Sequence, residues 1–176
     1  DWGGGLQWSR LNILGLESFT VGGDFRHLNG FTGEIDYSTT TGAQTAYLFS
    51  GGDQVLSGAF VQGIIAPWSR LRAELGARFD HWGDNNGIAT VQTGTGAPTT
   101  TEFENRGRDA FSPRIGLRLL AMPTLSFHTA AYQAFRAPNL AELYRRFNSG
   151  TTQSLPNPAL KPERSLARRN LAGGTG

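Results

Sequence analysis

The sequence lacks cysteine, has a single lysine and contains no long apolar run. Absence of cysteine suits a protein exported through an oxidising compartment and suits a cytosolic protein equally, so it leaves the location open. No stretch approaches the ~18 to 20 consecutive apolar residues that a membrane helix needs, which excludes a helical membrane protein. The chain also opens without a basic and apolar leader, so we interpret its 176 residues as an internal fragment.

The charges are few and evenly mixed. Sixteen basic residues, of which only Lys161 is a lysine, are interleaved with 14 acidic residues, and the formal net charge is +2. Such a surface produces little field to attract a polyanion, so nucleic acid is not an expected partner. Glycine is abundant, at 24 residues, and only 38% of the chain is hydrophobic, which argues against an ordinary soluble domain with a large core.

Several segments alternate between apolar and polar residues with the two-residue period of a two-faced β-strand. The clearest is residues 71–80, in which Leu71, Leu75 and Phe79 point one way while charged residues point the other. The other predicted strands cover residues 6–14, 19–27, 55–66, 111–120 and 125–135. The sequence therefore predicts an all-β fold with antiparallel, up-and-down strands.

Connections between these strands alternate in length. Residues 28–54, 83–108 and 136–160 are polar stretches that we interpret as long loops, whereas the other connections are short turns. In a meander this alternation puts every long loop on one side, which, with strands of roughly 9 to 11 residues, is typical of an outer-membrane β-barrel. Six or seven strands leave two unpaired edges, which lipid does not tolerate, so the chain is part of a larger barrel.

The two strand faces differ in charge, and the difference predicts which face meets lipid. An arginine on the lipid side at mid-bilayer costs ~2 to 4 kcal/mol, so the charged face looks into the barrel. The predicted inward set is Arg72, Glu74, Arg78, Asp80, Arg114 and Arg118. The predicted lipid-facing set is Leu71, Leu75, Phe79, Ile115, Leu117 and Leu119. Trp68 and Trp82 are candidate anchors at the two membrane interfaces.

A specific signal lies in residues 135–144, FRAPNLAELY, followed by residues 157–165, NPALKPERS. Pro138 biases the preceding residue away from the helical region and ends the strand, while Asn139 can cap a short helical turn. We expect this turn to form a shoulder above the barrel rim, with Leu140 and Leu143 packed on the wall. The two segments resemble the barrel signature of TonB-dependent outer-membrane receptors. The resembling motif residues are Phe135, Arg136, Ala137, Pro138, Asn139, Leu140, Glu142, Leu143, Tyr144, Asn157, Pro158, Leu160, Lys161, Pro162 and Glu163.

The resemblance extends upstream to residues 76–82 and 111–117. It implies that residues 1–176 are part of a 22-stranded transmembrane barrel in the outer membrane of a Gram-negative bacterium, with a plug domain that is absent here. Implied partners are outer-membrane lipid, lipopolysaccharide, the plug domain, TonB and a small-molecule ligand, with no cofactor. The implied function is energised uptake of a scarce ligand, a ferric siderophore or another iron chelate, with haem, cobalamin or a saccharide as alternatives. Residues 166–176 depart from the family pattern and lack alternation, so we predict an unstructured or non-native tail.

Candidate ligand contacts lie in the long loops: Tyr37, Tyr47, Phe103, Arg145 and Arg146. The two arginines could bind an anionic ligand or lipopolysaccharide phosphates, and a solvated charge pair is an equal interpretation. Phe135 and Tyr144 could contact the substrate in the outer vestibule, but we expect them to be packing anchors that fix where the loop leaves the wall. The inward charges would meet the plug, or simply neutralise one another.

No metal or catalytic site is predicted. The three histidines are isolated in separate strands, and residues 84–87, DNNG, lack the terminal acid of a calcium loop, so we interpret them as a turn. No serine lies in a nucleophile elbow. Three other classes of protein stay open. A passive porin would lack the two motifs, and an outer-membrane enzyme would need a set of catalytic residues. A soluble β-sandwich binding module would need long and short connections distributed over both ends of its strands.

Overall fold

A computed structural model describes residues 1–145, 147–149, 152–154 and 156–174. These residues form ten strands and one short helix. The elements are β1 (Trp2–Ile13), β2 (Leu16–Tyr37), β3 (Gln44–Trp68), β4 (Leu71–Thr93), β5 (Thr99–Glu102), β6 (Arg106–Met122), β7 (Leu125–Arg136), α1 (Leu140–Tyr144), β8 (Phe147–Ser149), β9 (Thr152–Ser154) and β10 (Glu163–Gly174). Within the described part of the chain, no helix has the length and apolar character needed to cross a membrane.

The main sheet has the order β1-β2-β3-β4-β6-β7-β10, with β5 paired to β4, and neighbouring strands are antiparallel. Because strands that follow one another in sequence pair in space, the sheet is an up-and-down meander with β1 and β10 at its open edges. This confirms the predicted fold class. Strands β8 and β9 form a separate hairpin.

The central strands are much longer than predicted. β2, β3 and β4 have 22, 25 and 23 residues. Most of the polar stretch 28–54 lies within β2 and β3, and most of 83–108 lies within β4, β5 and β6, so their interpretation as long loops was wrong. Leu28 to Asp36 pair residue by residue with Gln54 to Ala46. Since ~9 to 11 tilted residues cross a bilayer, the rest of each strand extends beyond it, where backbone pairing maintains the sheet without apolar side chains.

The connections keep the predicted alternation. Two-residue turns join β1 to β2 at Leu14–Gly15, β3 to β4 at Ser69–Arg70, and β6 to β7 at Pro123–Thr124. Leu14 and Gly15 both have positive φ, 54° and 77°, as the tight turns that match the twist of a hairpin require. The longer connections lie at the opposite end of the strands, the end that faces the cell exterior in barrels of this type.

The strand register separates the charged from the apolar residues. Arg72 pairs with Arg118, and Leu75 pairs with Ile115, so the predicted charged set shares one face and the predicted apolar set shares the other. The second face, which we call the outer face, exposes Val21, Val61, Leu75, Phe79, Phe111, Ile115, Leu117 and Leu119. An exposed apolar band of this extent fits lipid, and we call the opposite, charged face the lumen face.

Trp82 does not anchor the sheet at a membrane interface. It pairs with Leu56 and Arg108, which puts it on the lumen face, and it is 1% exposed. Trp68 lies at the short-turn end of β3 and is 68% exposed. Of the two predicted anchors, the structure therefore leaves Trp68 in a position to contact the interface, because α1 covers Trp82.

The end of the chain also differs from the prediction of a tail without a strand. β10 pairs with β7 along its whole length, from Glu163 opposite Arg136 to Gly174 opposite Leu125. Backbone hydrogen bonds to β7 impose the extended conformation, and these bonds do not require alternating side chains. Residues 175 and 176 lie outside the described residues.

The face assignment predicts different fates for two neighbouring substitutions. Val61→Arg in the full-length protein introduces charge on the outer face, at a cost of about 2 to 4 kcal/mol near mid-bilayer, and should impair barrel assembly. Gln62→Arg adds the same side chain on the lumen face at the same depth and should leave assembly intact. Heat-modifiable mobility on gels measures assembly, and equal losses in the two variants would contradict the assignment.

Candidate functional site

The signature segment, which we define as residues 135–144 together with residues 157–165, contains a well-capped helical turn. The Asn139 side chain accepts a hydrogen bond from the Glu142 backbone N–H at 2.8 Å, and the Glu142 carboxylate accepts one from the Asn139 N–H at 3.0 Å. This reciprocal pair satisfies two backbone donors that the first turn would leave free. The predicted cap is confirmed, and α1 runs from Leu140 to Tyr144.

Glu142 and Arg136 join the two halves of the signature. The Arg136 guanidinium pairs with Glu142 and lies 3.5 Å from the Glu163 carboxylate at the start of β10. The Asn157 backbone N–H donates to the Glu142 carbonyl at 3.3 Å. The Asn139 N–H and the nearby guanidinium stabilise the carboxylate, so the pKa of Glu142 lies below its usual range.

The helix is docked on the lumen face instead of standing above the rim. Leu143 and Tyr144, which are 0% and 2% exposed, form a buried cluster with Trp82. The partly buried residues around this cluster are Leu56, Phe103, Phe135, Ala137, Leu140 and Leu160. β3 and β4 extend far past α1 towards the exterior, so α1 lies inside the barrel, and its predicted position above the rim is wrong. The expected packing of Leu140 and Leu143 is confirmed, as are the packing roles of Phe135 and Tyr144.

A buried carboxylate fixes the end of α1. The Tyr144 hydroxyl donates to Asp84 Oδ2 at 2.7 Å, and an Arg106 guanidinium nitrogen lies 3.0 Å from the same oxygen. Asp84 is fully buried, so its charge needs the arginine. Burial, together with the neighbouring Asp84, raises the pKa of Tyr144. Gln54 on β3 also holds the segment before α1 in place, because its side-chain amide donates to the Pro138 carbonyl at 3.0 Å.

Glycines make room for the Tyr144 ring. A Cβ at Gly87 would lie 2.2 Å from the tyrosine hydroxyl oxygen, and a Cβ at Gly52 would lie 3.3 Å from the ring. Gly87 belongs to the 84–87 segment that we interpreted as a turn. It instead forms an irregularity within β4, where the register against β3 shifts and Asn86 has a φ of 53°. Gly52 and Gly87 thus leave a recess that holds the Tyr144 ring, which we call the glycine socket.

A second polar cluster surrounds Asp53, beyond the part of β3 that crosses the membrane. Asn29 and Asn86 donate side-chain hydrogen bonds to its carboxylate at 2.6 and 3.0 Å, and these bonds lower the pKa of Asp53. His27 lies 3.8 Å from the same carboxylate. Within the described ranges, no group of three or more His, Cys, Asp and Glu residues could hold a metal ion.

The lumen face carries a network of ion pairs. Arg78 contacts Asp24 at 2.7 Å and Asp80 at 2.6 Å, Arg72 contacts Glu17 at 3.1 Å, and Arg114 contacts Glu74. Of the predicted inward arginines, Arg118 has no ion pair among the described residues. Much of this wall is therefore internally neutralised, as one of the two interpretations of these charges expects.

The residues predicted to contact ligand are not brought together. Phe103 stacks on Tyr144 with ring centroids 5.3 Å apart, and Arg145 pairs with Glu34. Tyr47 pairs with Ile35 and Gln92 and shares the outer face with Val55. Tyr37 is an exposed residue at the end of β2. Arg146 lies outside the described residues.

The sequence analysis missed four residues that hold the signature segment against the barrel wall: Asp84, Arg106, Gly87 and Gln54. Tyr144 is 60 positions from Asp84 in the chain, and a single sequence carries no signal that links such distant residues. The short spacing from Asp84 to Gly87 was visible, but it pointed equally to a turn. Below α1 lies a cavity of about 1030 Å³ that includes Arg26, Leu28, Leu56, Arg78 and Phe135 in its wall.

The glycine socket predicts that Gly87→Ala displaces α1, because the new Cβ overlaps the tyrosine hydroxyl. Overpacking of this kind costs about 1 to 3 kcal/mol, and limited proteolysis of the folded full-length protein should cleave residues 136–162 faster than in the wild type. Gly83→Ala is the matched control, since its Cβ would meet nothing nearer than 3.6 Å. Unchanged cleavage in Gly87→Ala would show that the socket does not restrain Tyr144.

The lowered pKa of Glu142 predicts that α1 loosens in acid. The carboxylate stabilises the folded state fully above its unfolded pKa of about 4.3, and the contribution is lost as pH falls through the lower folded pKa. Hydrogen-exchange protection factors of α1 should exceed those of Glu142→Gln at pH 7 and approach them near pH 3. A difference between the two proteins that is independent of pH would contradict this assignment.

Comparison with known proteins agrees with the geometry. A family model described as "TonB dependent receptor-like, beta-barrel" matches residues 1–167, which include every strand up to the start of β10. No curated protein and no solved structure matches the chain. The family comprises transport receptors of the Gram-negative outer membrane, which carry a plug domain, interact with TonB and bind a small molecule without catalysing its conversion. With nearly the whole described sheet inside the match, the chain belongs to the TonB-dependent receptor β-barrel family.

Proposed function

We propose that the receptor containing this barrel wall takes up a ferric siderophore or a similar anionic iron chelate across the outer membrane, with energy delivered through TonB. Haem, cobalamin and a saccharide are the other ligand classes to be tested. Outer-membrane lipid would contact the outer face, and lipopolysaccharide would surround its exterior end. The proposal adds a ligand class to the transport role that family membership implies.

The observation that carries the ligand class is a surplus of arginine in the exterior half of the lumen. Arg26 and Arg108 share the lumen face with Trp82 and Leu56, and neither has an ion pair among the described residues. The nearby carboxylates of Asp24, Asp80 and Asp84 are already paired with Arg78 and Arg106. Among these seven groups four arginines stand against three carboxylates, so one positive charge remains. A positive charge attracts an anionic chelate and gives a neutral saccharide no advantage.

The cavity below α1 supports a ligand of this size. Its volume of about 1030 Å³ is at the upper end of the range for small-molecule sites. Arg26 lies in its wall beside the apolar Leu28 and Leu56, a combination of charge and apolar surface that suits an organic chelate. Phe103 and Arg145 flank α1 and would meet the ligand first. Tyr37 and Tyr47 would act only from the exterior parts of β2 and β3, and Arg146 stays a proposed contact.

Transport assays test the ligand class. In the full-length receptor, Arg26→Gln with Arg108→Gln should weaken binding of an anionic ferric siderophore by about tenfold, which corresponds to the loss of roughly one charge-assisted contact. Arg26→Lys with Arg108→Lys keeps both charges and should bind within a few-fold of the wild type. If both double variants transport iron chelates normally while a saccharide competes for uptake, the ligand class is wrong.

The orientation of the strands predicts which positions are accessible from outside the cell. A cysteine replacing Ser149, in the hairpin that follows α1, should react with a membrane-impermeant reagent on whole cells. A cysteine replacing Ser69, in the turn between β3 and β4, should react only after the outer membrane is permeabilised. Labelling of the second position alone would invert the topology and remove the basis for an exterior ligand site at α1.

A further inference from the structure

The outer face carries a second group of exposed apolar side chains on the exterior parts of β2 and β3, which we call the aromatic platform: Phe31, Ile35, Tyr47 and Phe49. The register between β2 and β3 is unbroken here, so these odd-numbered residues share the outer face. Phe31 and Phe49 stack with ring centroids 5.5 Å apart and ring planes 8° from parallel. Phe31 is 48% exposed and Ile35 is 46% exposed, so the platform offers apolar surface to the surroundings of the barrel.

Glycines let the rings of the platform lie against the sheet. A Cβ at Gly51 would lie 2.7 Å from a Phe31 ring carbon, and a Cβ at Gly33 would lie 3.3 Å from the Tyr47 hydroxyl oxygen. The two aromatic side chains therefore occupy space over the backbone that side chains at these glycines would take. The platform is consequently flat.

A polar row on the same face separates the platform from the lipid-facing band. The Asp53 carboxylate accepts a hydrogen bond from the Asn29 side chain at 2.6 Å, and the His81 ring lies 2.7 Å from the Asp109 carboxylate. Both pairs occupy outer-face positions of the register. Charged groups are costly in hydrocarbon, so this row lies at or beyond the exterior limit of the acyl chains. Acyl chains therefore do not explain the exposed rings of the platform, which lie further out.

Strand geometry gives the level of the platform. Phe31 lies ten residues beyond Val21 on β2, and Phe49 lies twelve residues beyond Val61 on β3. At ~3.3 Å per residue and a tilt of ~40°, both rings are about 25 to 30 Å above the pair Val21 and Val61 near mid-bilayer. Half of a ~25 Å apolar band covers only ~12 Å of this height. In the outer membrane, the next layer outward is the saccharide part of lipopolysaccharide.

The groups around the platform suit sugar rings better than phosphates. No lysine or arginine occurs in the exterior segments of β2 to β5: residues 29–37, 44–53, 88–93 and 99–102. A phosphate would find no cation there and would be repelled by Glu102 on the outer face. Thr90 lies opposite Phe49, and its hydroxyl contacts that of Thr100 at 2.9 Å. Aromatic faces pack on the apolar C–H face of a sugar ring, while hydroxyl groups form hydrogen bonds to its rim.

We propose that the aromatic platform binds the uncharged outer sugars of lipopolysaccharide and so fixes the exterior part of the wall in the saccharide layer. The proposal deepens the contact with lipopolysaccharide that the proposed function includes, and it rests on that contact and not on the ligand class. A second copy of the chain fits the platform less well. A stable protein interface takes about 20 to 30 residues from each side, whereas the platform consists of four side chains on two strands.

Lipopolysaccharides of two lengths test the proposal on the purified full-length receptor in detergent. The wild type should bind lipopolysaccharide with a complete core about tenfold more tightly than deep-rough lipopolysaccharide, which lacks the outer sugars, as expected for two ring contacts. Phe31→Ala with Phe49→Ala should bind the two with equal affinity. Leu48→Ala with Val91→Ala, on the lumen face of β3 and β4 at the same height, is the matched control and should keep the preference. Isothermal titration calorimetry measures both affinities.

Equal affinity of the wild type for the two lipopolysaccharides overturns the proposal, and so does an undiminished preference in the Phe31→Ala, Phe49→Ala variant. Heat-modifiable gel mobility shows whether that variant assembles. If it does not, free core oligosaccharide should still displace complete-core lipopolysaccharide from the wild type, and no displacement overturns the proposal. Sedimentation that shows a wild-type dimer, absent in the double variant, would assign the platform to a second copy and overturn it as well.

Iron uptake separates this proposal from the proposed ligand class. The Phe31→Ala, Phe49→Ala variant should take up a ferric siderophore at the wild-type rate, because the platform lies on the outer face and the cavity below α1 lies on the lumen face. A wild type that takes up no iron chelate but prefers complete-core lipopolysaccharide would refute the ligand class alone. Loss of uptake in step with loss of the saccharide preference would assign the platform to transport and overturn its assignment to lipopolysaccharide.

Discussion

The antiparallel backbone ladder between β2, β3 and β4 is the constraint on which the rest of the structure depends. In hydrocarbon an unpaired backbone group is too costly, so the ladder must be continuous across the membrane. Here it continues well beyond, from the turn at Ser69–Arg70 to Ala46 opposite Thr93. The register between β2 and β3 is unbroken from Ile64 to Ala46, which keeps the even-numbered residues of this part of β3 on the lumen face. That register explains how Gln54 and Leu56 come to lie beneath α1.

Because β3 and β4 extend so far, the helix of the signature segment is buried against them and is not exposed to solvent above a rim. A short helix above a rim would be a solvated shoulder, but a short helix beside a tall wall can be buried against it. Five helical residues bury little surface, so their position depends on specific contacts: the Asn139 cap, the Leu143 and Tyr144 side chains, and the Asp84 carboxylate with Arg106. The segment thereby fixes the β7–β10 connection against β3 and β4 and covers part of the lumen.

Charge distribution along the lumen links this architecture to transport. Near mid-height the ion pairs of Arg78 with Asp24 and Asp80 link β4 to β2 across β3, and one arginine against two carboxylates leaves one negative charge. Above and below this acidic zone lie arginines that form no ion pair with any described residue. The cationic groups near the exterior end of the wall can attract an anion from outside, as the proposed ligand class requires.

The amino-acid sequence by itself determined the fold class, the two strand faces and the capped turn, because each follows from local rules. Alternation at residues 71–80 assigns faces with period two, and Asn139 followed by Glu142 specifies a cap within one helical turn. Family membership was likewise visible in residues 135–144 and 157–165. Strand length was misjudged because glycine, threonine and serine outside the membrane need no apolar pattern to pair. Only the tertiary structure decided that Trp82 is buried, that Asp84 and Gly87 receive Tyr144, and that residues up to Gly174 form a strand. These outcomes depend on contacts between residues distant in the chain, whose free energy no local pattern encodes.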